Sequence, residues 1–209
     1  MLHVGLTGGL ASGKSFVGHS LAELGCFLIE ADVLGRQVLE QGGATYDAVV
    51  AAFGPQIVDA DGPSQGKINR KRLAAIVFAD DDDAKRQLTR LNAIVHPPVK
   101  VRERDLAAEF AREHPDGIAV TEAAILVETG SYKDYARLIV AVCRPEQQIE
   151  RAMHRDGVSR EEVLNRLRRQ MPLEDKVKYA DFVIDTSGSK ENTLQQVRIV
   201  YEELRRLNP

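Results

Sequence analysis

Residues 8–15 of this 209-residue chain read GGLASGKS, a G-x-x-x-x-G-K-S pattern between an apolar run and a segment that can form a helix. Gly8 and Gly13 let the chain turn, so that backbone N–H groups point at one centre near the positive end of the helix dipole. Lys14 supplies a charge for β- and γ-phosphates, and the Ser15 hydroxyl can ligate Mg²⁺. The spacing predicts a phosphate-binding loop. The predicted nucleotide contacts are Gly8, Ala11, Ser12, Gly13, Lys14, Ser15 and Phe16.

Two carboxylates are predicted at the carboxyl edge of a sheet, where open α/β sheets bind ligands. Asp32 follows the apolar run Cys26–Glu30, and Glu122 lies near the end of the run Ile118–Ala123. Asp32 can accept a proton from an attacking hydroxyl, whereas Glu122 can hold Mg²⁺ directly or through water. Simpler interpretations stay open, because Asp32 could merely cap the next helix and Glu122 could be solvated or salt-bridged.

A basic cluster lies between residues 151 and 178, where eight Lys and Arg residues accompany five acids. Arg151 and Arg155 are four residues apart and share one face of a helix. Arginines on a mobile helical segment can close over ATP and neutralise the charge that spreads over the γ-phosphate in the transition state. A solvated basic face is the alternative for any single one of them.

His96 precedes Pro97 and Pro98, and we expect these residues to lie between two helices, because proline fits the start of a helix. A histidine here could bind an anionic substrate. It could equally be a packed structural residue, and the sequence does not decide between the two.

Five apolar runs separated by helical patterns predict the α/β class, with a doubly wound parallel five-stranded sheet. The interval between the second and third runs is far longer than one crossover helix needs and reads as helical almost throughout. A second helical insertion precedes the fifth run. The predicted strands are Leu2–Thr7, Cys26–Glu30, Ile118–Ala123, Arg137–Cys143 and Phe182–Asp185.

Composition favours an ordinary globular protein of the cytosol. Charged residues make up 28% and apolar ones 44% of the chain, and no apolar stretch is long enough to span a bilayer. The net charge of −3 argues against a general nucleic-acid binder. Cys26 and Cys143 are predicted to be core thiols, and the acidic run 80–83 is predicted to cap a helix.

With these pieces in order, the chain closely resembles the dephospho-coenzyme A kinase family over nearly its whole length. Members of this family use ATP to phosphorylate the ribose 3′-hydroxyl of dephospho-coenzyme A, the last step of coenzyme A synthesis. Beyond the loop, the segments that carry the resemblance are IEAD at 29–32, FG at 53–54 followed by DG at 61–62, LAAIVF at 73–78, HP at 96–97, EAAILVE at 122–128, RAMHRDGVSREEVLNRLRRQM at 151–171 and ADFVIDTSG at 180–188.

The resemblance implies a single P-loop NTPase-type domain over 1–209. Its ATP-binding core would be about 1–32, 115–144 and 180–209, with a helical substrate-binding insertion at about 33–114 and a helical lid at about 145–179. Thr186 stands where the family usually has Asn, and Glu122 where many members have Asp. The site residues implied are Lys14, Asp32, Arg151 and Arg155 for catalysis, Asp32 and His96 for the acceptor, and Ser15 and Glu122 for the metal.

The ligands implied are ATP, dephospho-coenzyme A and Mg²⁺, in a cytoplasmic monomer or small homo-oligomer without nucleic-acid or membrane partners. Another small-molecule or nucleotide kinase would differ only in its acceptor. A GTPase switch is a weaker alternative, because the D-x-x-G match at 59–62 lies in a turn-rich insertion and no N-K-x-D segment follows. A binding protein with a degenerate site is disfavoured, since loop lysine, loop serine, edge aspartate and lid arginines are all present.

Overall fold

The computed structural model describes residues 1–79 and 82–208. The chain divides into two compact units, one made of residues 1–30 and 106–208 and the other of residues 31–105. Within the described residues, no helix combines the length and apolarity that crossing a bilayer requires. Asp80 and Asp81 of the acidic run lie outside the described residues.

The first unit is built on an all-parallel sheet of five strands in the order β2-β3-β1-β4-β5. The central strand β1 has successive strands on both sides, so the sheet is doubly wound and of the predicted α/β class. Side chains of β3 are buried along its whole length, which explains why the sequence shows runs rather than alternation. The strands are Leu2–Gly8 (β1), Phe27–Glu30 (β2), Ile118–Glu122 (β3), Arg137–Val142 (β4) and Phe182–Asp185 (β5).

Helices connect these strands and form the second unit. They are Lys14–Glu23 (α1), Ala31–Gln37 (α2), Tyr46–Phe53 (α3), Arg70–Val77 (α4), Asp82–Glu113 (α5), Pro145–Asp156 (α6), Arg160–Leu167 (α7), Leu173–Val177 (α8) and Lys190–Leu207 (α9). The 3₁₀ turns are Pro55–Ile57, Gly62–Ser64 and Ser131–Asp134. The register of the sheet sets Leu6 of β1 and Glu30 of β2 on either side of Glu122, so three strands end together beside the loop that follows β1.

One expectation about the helices is wrong. The sequence predicts a break at His96-Pro97-Pro98, whereas α5 runs continuously through these residues. Two consecutive prolines remove the N–H donors that would bond to the carbonyls of Ala93 and Ile94. Side chains before and after the prolines are packed into apolar surroundings, as Ile94 and Val99 illustrate, and this packing outweighs the local preference.

Each unit has its own apolar core. In the first unit, apolar residues of β1 and its neighbouring strands pack against helices, with Val17 and Leu21 of α1 and Leu204 of α9 in the same cluster. A smaller cluster joins Ile149 of α6 and Val163 of α7, against which Leu10 and Ala11 of the loop pack. In the second unit, the core residues are Val49, Phe53, Ile57, Ile68, Leu73 and Val77.

Both cysteines are buried and free, as predicted for core thiols. Burial raises the pKa of the Cys26 thiol to about 12. Of the acidic run, Asp82 and Asp83 lie in the first turn of α5, where their charges oppose the helix dipole.

Candidate active site

The loop between β1 and α1 has the backbone shape that its glycines permit. A Cβ at Gly8 would lie 2.7 Å from the carbonyl oxygen of Ala141, so only glycine fits there. Gly13 has φ 86° and caps α1, a left-handed conformation that side chains rarely adopt. Ala11, with φ 54°, is the one non-glycine residue with a positive φ among the described residues. The loop therefore turns tightly into the amino end of α1, the arrangement that favours anion binding.

Three side chains from distant parts of the chain hold this loop. The N–H of Leu10 donates to Gln170 Oε1 at 2.9 Å, and Thr186 Oγ1 donates to the Ser12 carbonyl at 2.8 Å. Lys176 Nζ donates to the Gly8 carbonyl at 3.3 Å. The loop thus has its shape fixed by partners beyond β4, in addition to its own backbone.

Glu122 lies against the last two residues of the loop. The Ser15 hydroxyl donates to Glu122 Oε1 at 2.7 Å, and Lys14 Nζ lies 3.5 Å from the same oxygen. Glu122 is only 5% exposed, and its other oxygen, Oε2, has no hydrogen-bond partner among the residues described. A buried carboxylate that is only partly satisfied is costly unless a further cation or donor reaches it.

Arg151 and Arg155 of α6 line one cavity of about 280 Å³ together with the loop residues 11–16. Arg151 donates to Thr186 through two nitrogens, at 3.0 Å to Oγ1 and 2.8 Å to the carbonyl. Arg155 donates through Nε and Nη2 to the two oxygens of Asp156, at 2.8 and 3.1 Å. Two cations thus stand beside the loop, where they can meet the negative charge of a phosphate chain.

Asp156 accepts hydrogen bonds from both Arg155 and Arg166. Hydrogen bonds from Arg155 lower the pKa of Asp156, and Arg166 of α7 adds to the effect through a bond of 2.8 Å. The hydrogen bond between Arg155 and Asp156 in turn raises the pKa of Arg155. The two helices are therefore joined by one carboxylate that is shared between two arginines.

Lys176 of α8 is the buried cation that sequence reasoning missed. Its side chain is fully buried, and Nζ lies 2.7 Å from the Ala124 carbonyl and 2.9 Å from Glu128 Oε1. Burial lowers the pKa of Lys176 and the charge of Lys14 acts in the same direction, while the contact with Glu128 opposes both. The sequence marks Lys176 only as one member of a basic cluster, because its acceptors lie far away along the chain.

The remaining predicted residues belong to the second unit. Asp32 is exposed in the first turn of α2, two residues beyond the end of β2, so it lies inside the helix rather than before it. His96 is partly buried within α5, where desolvation, helped by the charge of Lys100, lowers its pKa. The structure thus groups Lys14, Ser15, Glu122, Arg151 and Arg155 in one unit. The roles assigned to these residues, like those of Asp32 and His96, stay predictions.

A loop of this kind behind the central strand of a 2-3-1-4-5 parallel sheet is the architecture of the P-loop kinases, and comparisons with known proteins agree. The family model described as Dephospho-CoA kinase matches residues 2–192. The chain belongs to the dephospho-CoA kinase family.

Relatives of known name and structure cover almost the whole chain. A dephospho-CoA kinase of Aquifex aeolicus is 41% identical over 206 residues, covering 99% of each chain. A solved structure from Thermus thermophilus is 33% identical and aligns with a TM-score of 0.78 over 97% of each chain. The solved dephospho-CoA kinase of Campylobacter jejuni is 25% identical, with a TM-score of 0.60 over 97% of this chain and 96% of that one.

Proposed function

We propose that this protein transfers the γ-phosphoryl group of ATP to the ribose 3′-hydroxyl of dephospho-coenzyme A, giving coenzyme A and ADP. The observation that carries the proposal is the match to the dephospho-CoA kinase family over residues 2–192, which include every residue of the loop and its partners. The loop supplies the donor half of the reaction. The acceptor half is assigned to residues of the second unit.

The donor half depends on fixed positive charge and backbone donors. The loop residues 8–16 would surround the phosphates of ATP, with Lys14 against the β- and γ-phosphates. Arg151 and Arg155 stand beside the same cavity, and they would offset charge that spreads over the γ-phosphoryl group as it moves. Arg155 would exchange part of its contact with Asp156 for contact with ATP.

The residues present suit Mg²⁺. The Ser15 hydroxyl and the Glu122 carboxylate are hard oxygen donors, and Glu122 Oε2 is a buried oxygen without a hydrogen-bond partner in the described chain. We assign Ser15 and Glu122 to holding the ion, directly or through water. When bound, Mg²⁺ offsets the charge of the β- and γ-phosphate oxygens.

The acceptor half needs a proton acceptor and groups that hold an anionic molecule. We assign Asp32 to accept the proton of the 3′-hydroxyl while that oxygen bonds to the γ-phosphorus and the bond to ADP breaks. His96 is assigned to acceptor binding. A cytoplasmic location, and a monomeric or small homo-oligomeric state without nucleic-acid or membrane partners, complete the proposal.

The decisive experiment is an ADP-release assay with purified protein, ATP and Mg²⁺. Dephospho-coenzyme A is expected to give turnover, while nucleoside monophosphates and shikimate give little. Lys14→Met is the negative control, because the charge at the β- and γ-phosphates is lost. Absence of turnover with dephospho-coenzyme A, together with turnover of another acceptor, would overturn the assignment.

A further inference from the structure

The second unit contains a polar cavity of about 620 Å³ that the site described above does not use. Its walls come from the end of α2 and the segment after it, and from the segment that leads into α4. The lining residues are Arg36, Leu39, Glu40, Gln41, Lys67, Ile68 and Arg70. This lining combines three cations with one acid.

The three cations have no side-chain partner among the described residues. Within residues 1–79 and 82–208, neither hydrogen bond nor ion pair engages the side chains of Arg36, Lys67 and Arg70. Four other cations of the same unit are paired with acids, in the contacts Arg72–Asp59, Lys85–Asp82, Arg86–Asp83 and Lys100–Glu103. Three cations without a side-chain partner among the described residues therefore line one cavity.

The backbone under Lys67 and Arg70 is well held. An isolated antiparallel bridge joins Val58 to Ile68, and the Lys67 carbonyl accepts a hydrogen bond from the N–H of Asp59 at 3.0 Å. Arg70 is the first residue of α4, whose N-cap Asn69 accepts hydrogen bonds from the two N–H groups that follow Arg70. The cations thus project from fixed positions, although their side chains are exposed.

One acid of the segment before Lys67, Asp59, is already engaged. Asp59 accepts a hydrogen bond from Asn69 Nδ2 at 2.8 Å, and it lies 3.7 Å from Arg72 Nη2. Glu40 is the one acid among the residues that line the cavity. The cavity carries an excess of two positive charges, from the three cations less one acid.

We propose that this cavity binds the diphosphate group of the acceptor. The inference rests on the proposed function, because dephospho-coenzyme A carries a diphosphate between its adenosine and its pantetheine arm. Guanidinium groups match phosphate oxygens through paired N–H donors, and Lys67 adds a point charge. A net charge near +2 complements the two negative charges of a diphosphate.

The test compares neighbouring residues on one helix. Arg70→Gln is expected to raise the Kd of dephospho-coenzyme A, measured by calorimetry, and its KM by about tenfold, with the KM of ATP unchanged. Lys71→Gln is the matched control, since Lys71 is also exposed on α4 but does not line the cavity. Arg36→Gln and Lys67→Gln are expected to act as Arg70→Gln does.

Glu40→Gln gives a prediction of opposite sign. Removing the one acid of the cavity is expected to lower the Kd of dephospho-coenzyme A severalfold, a result that loss of folded structure would not produce. Melting temperatures of all variants accompany the binding data.

Failure of the inference and failure of the proposed function are distinguishable. If wild-type protein phosphorylates dephospho-coenzyme A while all three cation variants retain the wild-type Kd, the cavity assignment is wrong and the function stands. An equal rise in the Kd or KM of both substrates, or an equal effect of Lys71→Gln, also overturns the assignment. Wild-type protein that turns over another acceptor but not dephospho-coenzyme A instead overturns the proposed function.

Discussion

Lys176 is a fully buried, charged residue that also contacts the loop. A lysine without exposed surface is tolerated only when its ammonium group is satisfied, and here two carbonyls and the Glu128 carboxylate do this. One of those carbonyls belongs to Gly8, the first residue of the phosphate-binding loop. The same side chain therefore stabilises the fold and the shape of the site.

Lys176→Met should lower the free energy of unfolding by about 3 kcal/mol, because it leaves the buried carbonyls of Gly8 and Ala124 without this donor and removes the ion pair with Glu128. Chemical denaturation measures this change, and the KM of ATP should rise with it. Lys178→Met is the matched control. Lys178 lies two residues after Lys176 and pairs with Asp175 on the surface. Equal stability of the two variants would contradict this account.

Asp32→Asn should lower kcat by at least ~10²-fold with little change in the KM of ATP, the effect expected when a general base is lost. Asp47→Asn is the control, since Asp47 is an exposed aspartate in the first turn of α3. Steady-state kinetics with both substrates checks the prediction. Near-normal turnover in Asp32→Asn would show that Asp32 serves the helix alone.

At the scale of single elements, the five strands and the doubly wound parallel sheet were predictable from the sequence. Fully buried parallel strands leave apolar runs of the right length. The loop was predictable because its glycines are required by its backbone. The continuity of α5 was not, since the local rule for Pro97 and Pro98 favours a break and only packing from both sides opposes it. The burial of Lys176 was hidden too, because Glu128 and Gly8 come near it only in the folded chain.

α5 also has a consequence for stability against pH, through His96. Burial lowers the pKa of folded His96 below its ordinary value of 6.5, so below that pH the unfolded chain takes up a proton that the folded chain does not. The free energy of unfolding should therefore fall as the pH drops from about 7 towards the lowered pKa, and level off below it. His96→Gln should remove this part of the pH dependence, measured by urea unfolding between pH 7.5 and 5.

A second histidine variant separates His96 from the rest of the chain. His154 is exposed on α6, and His154→Gln serves as the matched substitution. If His96→Gln and His154→Gln change the pH profile to the same extent, the desolvation of His96 is not its cause.

At the scale of the whole molecule, the two compact units provide a test of how the substrates are divided. The loop, Glu122, Arg151 and Arg155 belong to residues 1–30 and 106–208, whereas the polar cavity belongs to residues 31–105. A non-hydrolysable ATP analogue alone should slow amide exchange mainly around residues 8–16. Dephospho-coenzyme A alone should slow it mainly around residues 36–41 and 67–70.

Hydrogen exchange read by mass spectrometry checks this division. Lys14→Met should lose the protection by the ATP analogue and retain that by dephospho-coenzyme A. Protection of residues 8–16 alone by dephospho-coenzyme A would contradict the assignment of the acceptor to the second unit.

The distant partners of the loop also bear on the order in which the protein matures during synthesis. Leu10, Gly8 and Ser12 are held by Gln170, Lys176 and Thr186, at sequence separations of 160, 168 and 174 residues. Contacts of such separation form only after residues 170–186 have left the ribosome. The loop is therefore synthesised well before the residues that hold it, so a nascent chain gains its complete nucleotide site only after residue 186 has emerged.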